Sequence, residues 1–397
     1  MVAALAVCCA AAWLVLCVAF LYDGNPTGLF YTGLRSKLPA ELDSPHTKRV
    51  NDPIGYDGAF YHLIAHDPLN QRGVLDYTDT PSLRWRRIGV PALAALFGGF
   101  GGGRWVDYSY IGIELAFLGL GVYWLARYAQ QHGLRPAWGL GFFLIPAVAV
   151  SLDRMTIDLP LAALCIGLAL RAGSPGVPWS TYLMLAAAPL IRDTGIILVA
   201  AWCVHAVLLS DWRSTGLAAV SAVPALGWWT YVRAHTPVDG NVYLARYPFG
   251  GIVGQTLSGY TDPINTLWLR LANALEWVAL AGIWLAVGLA LYIGVTSLRS
   301  RRAGWIELTA VLFALFAASL NQLDLWASAY ATGRTMTPML IMLALIAWER
   351  RRAVFGLPLL LVVPRIALQY EAQLLAARGK SRETSPKHVT GEMFQTS

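Results

Sequence analysis

The segment Asn51–Pro68, NDPIGYDGAFYHLIAHDP, concentrates side chains that can move protons or bind a charged substrate. It holds three aspartates, two histidines and two tyrosines. Asp57 falls at the start of a predicted helix, where the helix dipole favours an ionised carboxylate. Such a carboxylate can serve as a base, or as an orienting group, for an attacking hydroxyl or amine. We therefore predict that Asp57 takes part in chemistry and that Tyr56 and Tyr61 beside it bind substrate.

Other polar stretches lie far from this segment in sequence and carry arginines and aspartates. They are LRWRRIGVP, SLDRMTIDLP, IRDTG and YATGRTMTP. Charged residues at membrane depth are costly, so a set of them on one side of a membrane indicates a site. Arginine suits a departing phosphate because its guanidinium can make bidentate contacts. The predicted substrate-binding residues in these stretches are Arg87, Asp153, Arg192 and Arg334.

The residues from Asp57 to Asp67 fit a short amphipathic helix. Phe60, Leu63 and Ile64 share one face at spacings of three and four residues. A helix of this kind is expected to lie flat on the outer membrane interface, with its apolar face among the lipid headgroups.

His62 and His66 on the same helix have the spacing of a zinc-binding pair, and Asp67 follows them. The sequence places no third ligand beside them. We therefore predict that both histidines lie on the surface of the helix and that no metal site is formed there. The sequence requires no cofactor, and dependence on a divalent metal stays open.

The composition predicts a polytopic membrane protein. Of the 397 residues, 56% are hydrophobic and only 13% are charged, and apolar runs recur with short polar breaks. Lipid cannot satisfy backbone amides, so each run must be helical, and the predicted fold class is all-α. The net charge of +7 arises mainly from short loops between spans, as the positive-inside rule expects, and not from a basic surface for nucleic acid.

The hydropathy pattern predicts about eleven spans in one membrane domain, 1–370. Residues 88–103, IGVPALAALFGGFGGG, are too short and glycine-rich for a span and predict a re-entrant or shallow segment. The polar tail, 371–397, is predicted to be disordered. The predicted spans are 2–22, 105–127, 137–152, 156–171, 180–192, 194–210, 215–233, 267–297, 305–322, 332–348 and 353–369.

Basic loops set the predicted orientation of these spans. Arg299, Arg301, Arg302 and the run Glu349–Arg352 mark cytoplasmic turns. With the N-terminus inside, the first outer loop is 23–104, and the polar stretches described above gather on the outer face.

The order of the stretches GYDGAFYHLIA, LRWRRIGVPALAALFGG, SLDRMTIDLPLAALCIGLAL, LAAAPLIRDTGIILVAA and YATGRTMTPML resembles bacterial members of the GT-C superfamily of polyprenyl-phosphate-sugar glycosyltransferases, the mannosyltransferase-like proteins among them. In that superfamily the first outer loop carries an acidic residue, and a second acid opens the outer end of a later span. The resemblance implies that Asp57 and Asp158 are catalytic, with Asp153 a weaker match to the second acid. The chain departs from the family in lacking a tight acidic pair and a large soluble C-terminal domain.

These observations lead to one expected function and two competing ones. The expected protein is a glycosyltransferase of the bacterial inner membrane, with its active site on the periplasmic face. It would move a sugar, with inversion, from a polyprenyl-phosphate donor to a glycan, lipid or protein acceptor. A transporter or lipid flippase would need charged residues along a path through the bilayer, and a non-catalytic scaffold would keep only the fold.

Overall fold

A computed structural model describes residues 1–43, 45–100, 103–172, 177–237, 245, 247–260, 266–300, 303–321 and 323–371. Its described residues form α- and 3-10 helices and contain no β-strand, which confirms the all-α prediction. The predicted disordered tail, 371–397, lies outside the described residues except for Glu371. The α-helices, in chain order, are α1 (Val2–Leu21), α2 (Asp57–His66), α3 (Pro81–Arg86), α4 (Gly89–Phe97), α5 (Arg104–Gln131), α6 (Pro146–Arg154), α7 (Asp158–Ala172), α8 (Trp179–Ile191), α9 (Ile196–Leu208), α10 (Trp212–Ser221), α11 (Val223–His235), α12 (Gly250–Ser258), α13 (Leu267–Ser300), α14 (Trp305–Ser319), α15 (Leu323–Trp326), α16 (Ala329–Glu349) and α17 (Leu357–Ala367).

Within the described part of the chain, five helical segments are long and apolar enough to cross a membrane. They are α1, α5, residues 267–297 of α13, α16, and the segment Ala353–Glu371 that contains α17. Three shorter apolar helices, α8, α9 and α14, pack among them. The chain is therefore a polytopic membrane helical bundle, but its helices do not establish the predicted count of about eleven spans.

Two predicted spans are interrupted at prolines. Residues 137–152 divide into a 3-10 helix, Pro136–Leu144, and α6, which are bent by 65°. Residues 215–233 divide into α10 and α11, with proline in the first turn of α11. Proline has no backbone N–H to donate, so it is favoured where a helix begins and not within one. Apolar length alone therefore did not predict these two breaks.

The helix α7 lies at the centre of the bundle. Every residue from Asp158 to Ala169 is buried. By contrast α1 lies at the edge, where Val15 and Phe20 are each 66% exposed and available to lipid. Asp158, the first residue of α7, is consequently held by the best-packed helix of the fold.

The first loop folds over the end of the bundle and encloses α2. Tyr61, Leu63 and Ile64 are each at most 1% exposed, and α2 packs against α4 and the loop around it. The prediction that α2 lies flat in the lipid headgroups is therefore wrong. Its apolar side needed to leave water, and neighbouring protein, not lipid, covers it.

The segment after α3 forms the short helix α4 instead of a full span, in line with the predicted re-entrant or shallow element. Val90, Ala94 and Ala95 are buried against protein, while Phe97 at its end is 71% exposed. Residues 101 and 102, at the end of the predicted segment, lie outside the described residues.

Two glycines fix the backbone around Asp57. Gly55 has a φ of +84°, which a side chain would strain, and it turns the chain into α2. A Cβ on Gly58 would lie 2.0 Å from the carbonyl oxygen of Arg154, so this glycine lets α2 approach the end of α6. The absence of a side chain at Gly58 therefore allows close contact between α2 and α6.

Replacing Gly58 with alanine is expected to destabilise the protein. The new methyl group meets backbone atoms that cannot turn away, and overpacking of this kind costs about 1–3 kcal/mol. Gly112→Ala in α5 is the matched control, because nothing lies within 4 Å of its Cβ position. Thermal unfolding of full-length protein in detergent should show a lower midpoint for Gly58→Ala than for Gly112→Ala. Equal midpoints would contradict the tight packing of α2.

Candidate active site at one end of the bundle

Asp57 is the first residue of α2, as the sequence predicted, and its carboxylate lies between two arginines. Its Oδ1 is 2.9 Å from Nη2 of Arg84, and its Oδ2 accepts a hydrogen bond of 2.6 Å from Nη2 of Arg334. The side chain of Asp57 remains 19% exposed. A substrate hydroxyl could therefore reach this carboxylate from solvent.

The two arginines determine the protonation state of Asp57. Burial alone would raise the pKa of Asp57, but the charges of Arg84 and Arg334 and their hydrogen bonds outweigh it and hold the pKa well below its usual range. Asp57 is consequently ionised at neutral pH and is a weak base while both arginines contact it.

Asp158, at the start of α7, joins the same cluster from the opposite side. Arg192 forms an ion pair with its Oδ1, and Nε of Arg334 lies 3.3 Å from its Oδ2. The guanidinium of Arg334 thus contacts both acids, although 100 residues separate Asp57 from Asp158 in the sequence. The structure thus brings these two acids, both predicted to be catalytic, into contact with one arginine.

A second row of polar contacts supports the arginines. Nε of Arg87 lies 2.9 Å from Oδ1 of Asp193, and its Nη1 donates to the hydroxyl of Tyr61 at 3.0 Å. Arg192 donates from Nη2 to Oγ1 of Thr335 at 2.9 Å. Tyr61 is only 1% exposed, so its hydroxyl holds Arg87 in place and is not open to solvent.

Tyr56 and Asp153 lie behind this row. The guanidinium of Arg154 is 4.4 Å from the ring centre of Tyr56, and that of Arg334 is 5.2 Å from the same ring. Arg154 also pairs with Asp153 at 3.1 Å, and Asp153 is only 4% exposed. The aromatic face of Tyr56 therefore favours two neighbouring cations, whereas Asp153 is enclosed within protein.

Sequence reasoning missed the role of Arg84, which contacts Asp57 directly. Arg84 pairs with Asp57 and makes a bidentate contact with Asp79, with both distances at 2.9 Å. Arg84 lies in the basic run LRWRR, but the sequence prediction chose Arg87 from this run because Arg87 directly precedes the apolar segment. Only the turn of α3 shows which arginine of the run faces α2.

Donor groups remain available on the arginines. Nη1 of Arg334 and Nε of Arg192 are buried and have no hydrogen-bond partner among the described residues. Buried donors without partners are costly and uncommon in native proteins. An anion placed beside these guanidinium groups would satisfy them.

The charge of the cluster is slightly positive. Four of its arginines form ion pairs with four aspartates, while Arg86 donates to a backbone carbonyl and pairs with no carboxylate in the described part of the chain. The paired residues are Arg84, Arg87, Arg192, Arg334, Asp57, Asp79, Asp158 and Asp193. One positive charge therefore remains for an incoming anion.

His62 and His66 do not lie on the surface, and that prediction is wrong. They are 1% and 3% exposed and contact Asp107 of α5, where His46 from the first loop joins them. Sequence reasoning missed both partners, because His46 lies outside the helix and Asp107 opens a predicted span. These four residues are the described group that could hold a metal ion.

A separate cavity of about 450 Å³ lies at the opposite end of the bundle. Its wall includes Tyr128, Glu307 and Glu349. Tyr128 donates to Glu349 at 2.7 Å, and Arg350 pairs with Glu307 at 3.1 Å. None of the predicted site residues lines it, so it is distinct from the cluster around Asp57.

Comparisons with known proteins add one distant likeness. No protein-family model and no curated protein sequence matches the chain. Among solved structures, the crystal structure of ArnT from Cupriavidus metallidurans in the apo state is similar to 93% of this chain and 76% of that chain, with 17% sequence identity and a TM-score of 0.39. A likeness at this level assigns no activity to the chain.

Proposed function

We propose that this chain is a membrane glycosyltransferase of the GT-C type. It takes a sugar from a polyprenyl-phosphate donor and transfers it to a glycan, lipid or protein acceptor on the outer face of a bacterial inner membrane. The observation that carries the proposal is the guanidinium of Arg334, which contacts both Asp57 and Asp158 at one end of the bundle.

The arrangement offers the two functions that such a transfer needs. A partly exposed carboxylate, Asp57, can accept a hydrogen bond from the acceptor, and unpartnered guanidinium donors lie beside it. Arginine donors that are already in place stabilise charge as it develops on a leaving phosphate. Arg334 and Arg192 hold these donors in our proposal, and Arg87 supports them through Asp193.

Transfer proceeds as a single displacement. The acceptor oxygen forms a bond to the anomeric carbon while the bond from that carbon to the phosphate oxygen of the lipid breaks. The electron pair leaves with the phosphate, the acceptor proton passes to Asp57, and the anomeric configuration inverts. One positioned base requires no covalent enzyme intermediate.

Donor binding also regulates the base in this scheme. With Arg84 and Arg334 in contact, Asp57 binds a proton only weakly. A phosphate that draws Arg334 toward itself removes one of these charges from Asp57 and raises the proton affinity of the carboxylate. The base therefore becomes effective when the donor is present, which limits unproductive chemistry.

The orientation of the site agrees with the predicted topology. The cluster includes the starts of α2 and α7 and the first turns of α16. The basic run that follows α16, predicted to be cytoplasmic, lies at the other end of that helix. This separation supports a site on the outer face.

The proposal is tested with purified full-length protein in liposomes. The protein is given a panel of labelled polyprenyl-phosphate sugars and an acceptor fraction from bacterial envelopes. We expect label to leave the lipid and enter the acceptor in a linkage whose anomeric configuration is opposite to that of the donor. Movement of label across the bilayer while still attached to lipid would support a flippase instead, and a retained configuration would contradict the single displacement.

A further inference from the structure

Four side chains from three segments converge beneath α2. His46 comes from the first loop, His62 and His66 from α2, and Asp107 from the first turn of α5. One potential ligand atom from each residue can be chosen so that all four lie within 4.8 Å of one another. His62, His66 and Asp107 are buried, and the His46 side chain is 17% exposed.

The charge of Asp107 calls for a cation. Asp107 is fully buried, and its ion-pair partners in the described part of the chain are the three histidines, with no lysine or arginine among them. A buried carboxylate needs a compensating positive charge. Neutral imidazoles do not provide that charge, and a divalent cation bound between them does.

Hydrogen bonding alone leaves the cluster incomplete. Nε2 of His62 and Nε2 of His66 both contact the same oxygen of Asp107, at 2.7 and 2.8 Å. Nε2 of His46 lies 3.3 Å from the other oxygen, but neither of these two buried atoms makes a hydrogen bond to any described residue. An ion at the centre would use the Nε2 atoms of all three histidines together with this carboxylate.

Two of the distances within the cluster suit zinc. Zinc binds imidazole nitrogen at about 2.0–2.1 Å with tetrahedral geometry, so two ligand atoms should lie about 3.3 Å apart. Nε2 of His62 and Nε2 of His66 are 3.2 Å apart, and His46 and Asp107 meet at 3.3 Å. To reach this spacing, the two shorter contacts to Oδ1 of Asp107 would have to lengthen by about 0.5 Å. The widest separation among the four ligand atoms, which lie within 4.8 Å of one another, would have to shorten as the ion draws them together.

We propose that His46, His62, His66 and Asp107 form a structural zinc site. Three imidazoles and one carboxylate suit Zn²⁺ better than hard cations such as Mg²⁺ or Ca²⁺, which prefer oxygen. Four protein ligands complete a tetrahedron and leave no open position, which is the pattern of a structural site.

The ion would clamp the element that carries Asp57. His62 lies five residues after Asp57 on α2, about 7.5 Å along the helix axis at 1.5 Å per residue. Zinc would tie α2 to α5 and to the first loop, and so fix the direction of Asp57. The proposal stands without the proposed transferase function, because zinc binding is measured directly.

The test measures zinc in full-length protein purified through an affinity tag that contains no histidine. Mass spectrometry of the metal content should give about one zinc per chain in the wild type, whereas His66→Gln should fall below about one fifth of that. His235→Gln is the control, since His235 is exposed on α11 and contacts its own helix. Wild-type protein without zinc that also fails to bind added zinc would overturn the proposal, as would full zinc content in His66→Gln.

A second measurement uses only the wild type and so does not depend on a variant that folds. Chelator treatment should lower the thermal midpoint, and zinc, but not magnesium, should restore it. Cobalt added to the treated protein should give the strong visible absorption of a tetrahedral site. An unchanged thermal midpoint after zinc has been removed would show that the cluster is held by hydrogen bonds alone. A weak octahedral cobalt spectrum would contradict a tetrahedral site.

Discussion

Asp57→Asn is expected to reduce the rate of sugar transfer by about a thousandfold, the middle of the range for loss of a positioned acid–base group. Asparagine keeps the shape of the side chain but can neither accept the acceptor proton nor carry the charge between Arg84 and Arg334. The rate should be measured as label transferred from a polyprenyl-phosphate sugar by reconstituted protein. The loss should appear in kcat, because the proton moves in the transition state.

Asp79→Asn is the matched control for this variant. Asp79 also pairs with Arg84, at 2.9 Å, but its side chain is 48% exposed, and within the described chain it forms no ion pair with Arg334. Exposed ion pairs contribute little, so we expect less than about a tenfold loss. If both variants lost activity equally, the role of Asp57 would be to hold Arg84 and not to take the proton.

Arg334→Gln is expected to reduce transfer by about a hundred- to a thousandfold, the effect of removing one donor that stabilises a developing anion. Arg334 is the side chain that contacts Asp57 and Asp158 together, and its Nη1 is among the unpartnered donors. Asp57 keeps Arg84 and Asp158 keeps Arg192 in this variant, so neither acid is left alone. Arg334→Lys should recover only part of the loss, because an ammonium cannot reproduce the planar fork.

Arg350→Gln provides a control beyond the other end of the same helix. Arg350 pairs with Glu307 at 3.1 Å, and its side chain is 33% exposed. Transfer by this variant should match the wild type. A further check is the double variant Asp57→Asn with Arg334→Gln, whose loss should be smaller than the product of the single losses, because the two residues act in one unit. Fully multiplicative losses would place them in separate roles.

The long apolar helices were predictable because their physics is local. A run such as Val2–Leu21 has no charge and enough length to cross a membrane, so its conformation follows from composition. The start of α2 at Asp57 was also predictable, since glycine and aspartate mark that boundary in the sequence. The bend before Pro146 and the break before Pro224 required knowledge of which prolines begin a new helix.

The gathering of distant acids and arginines was predicted from the topology assigned to the sequence. Once spans and basic loops are assigned, Asp57, Asp158 and Arg334 all fall on one side of the membrane. Hydropathy can predict the side of the membrane on which a residue lies, but it cannot predict which side chains that residue contacts. The choice of Arg84 over Arg87 as the partner of Asp57 depended on the orientation of α3, which the sequence leaves free.

Sequence therefore determined the all-α class and the membrane setting, because these follow from apolar length and backbone hydrogen bonding. It also predicted, from loop charge, which polar residues share one side. Tertiary structure alone decided that α2 is enclosed by protein, so that His62 and His66 meet His46 and Asp107 instead of facing lipid or water. The reason is that an amphipathic pattern specifies that a face must leave water, but not which surface will cover it.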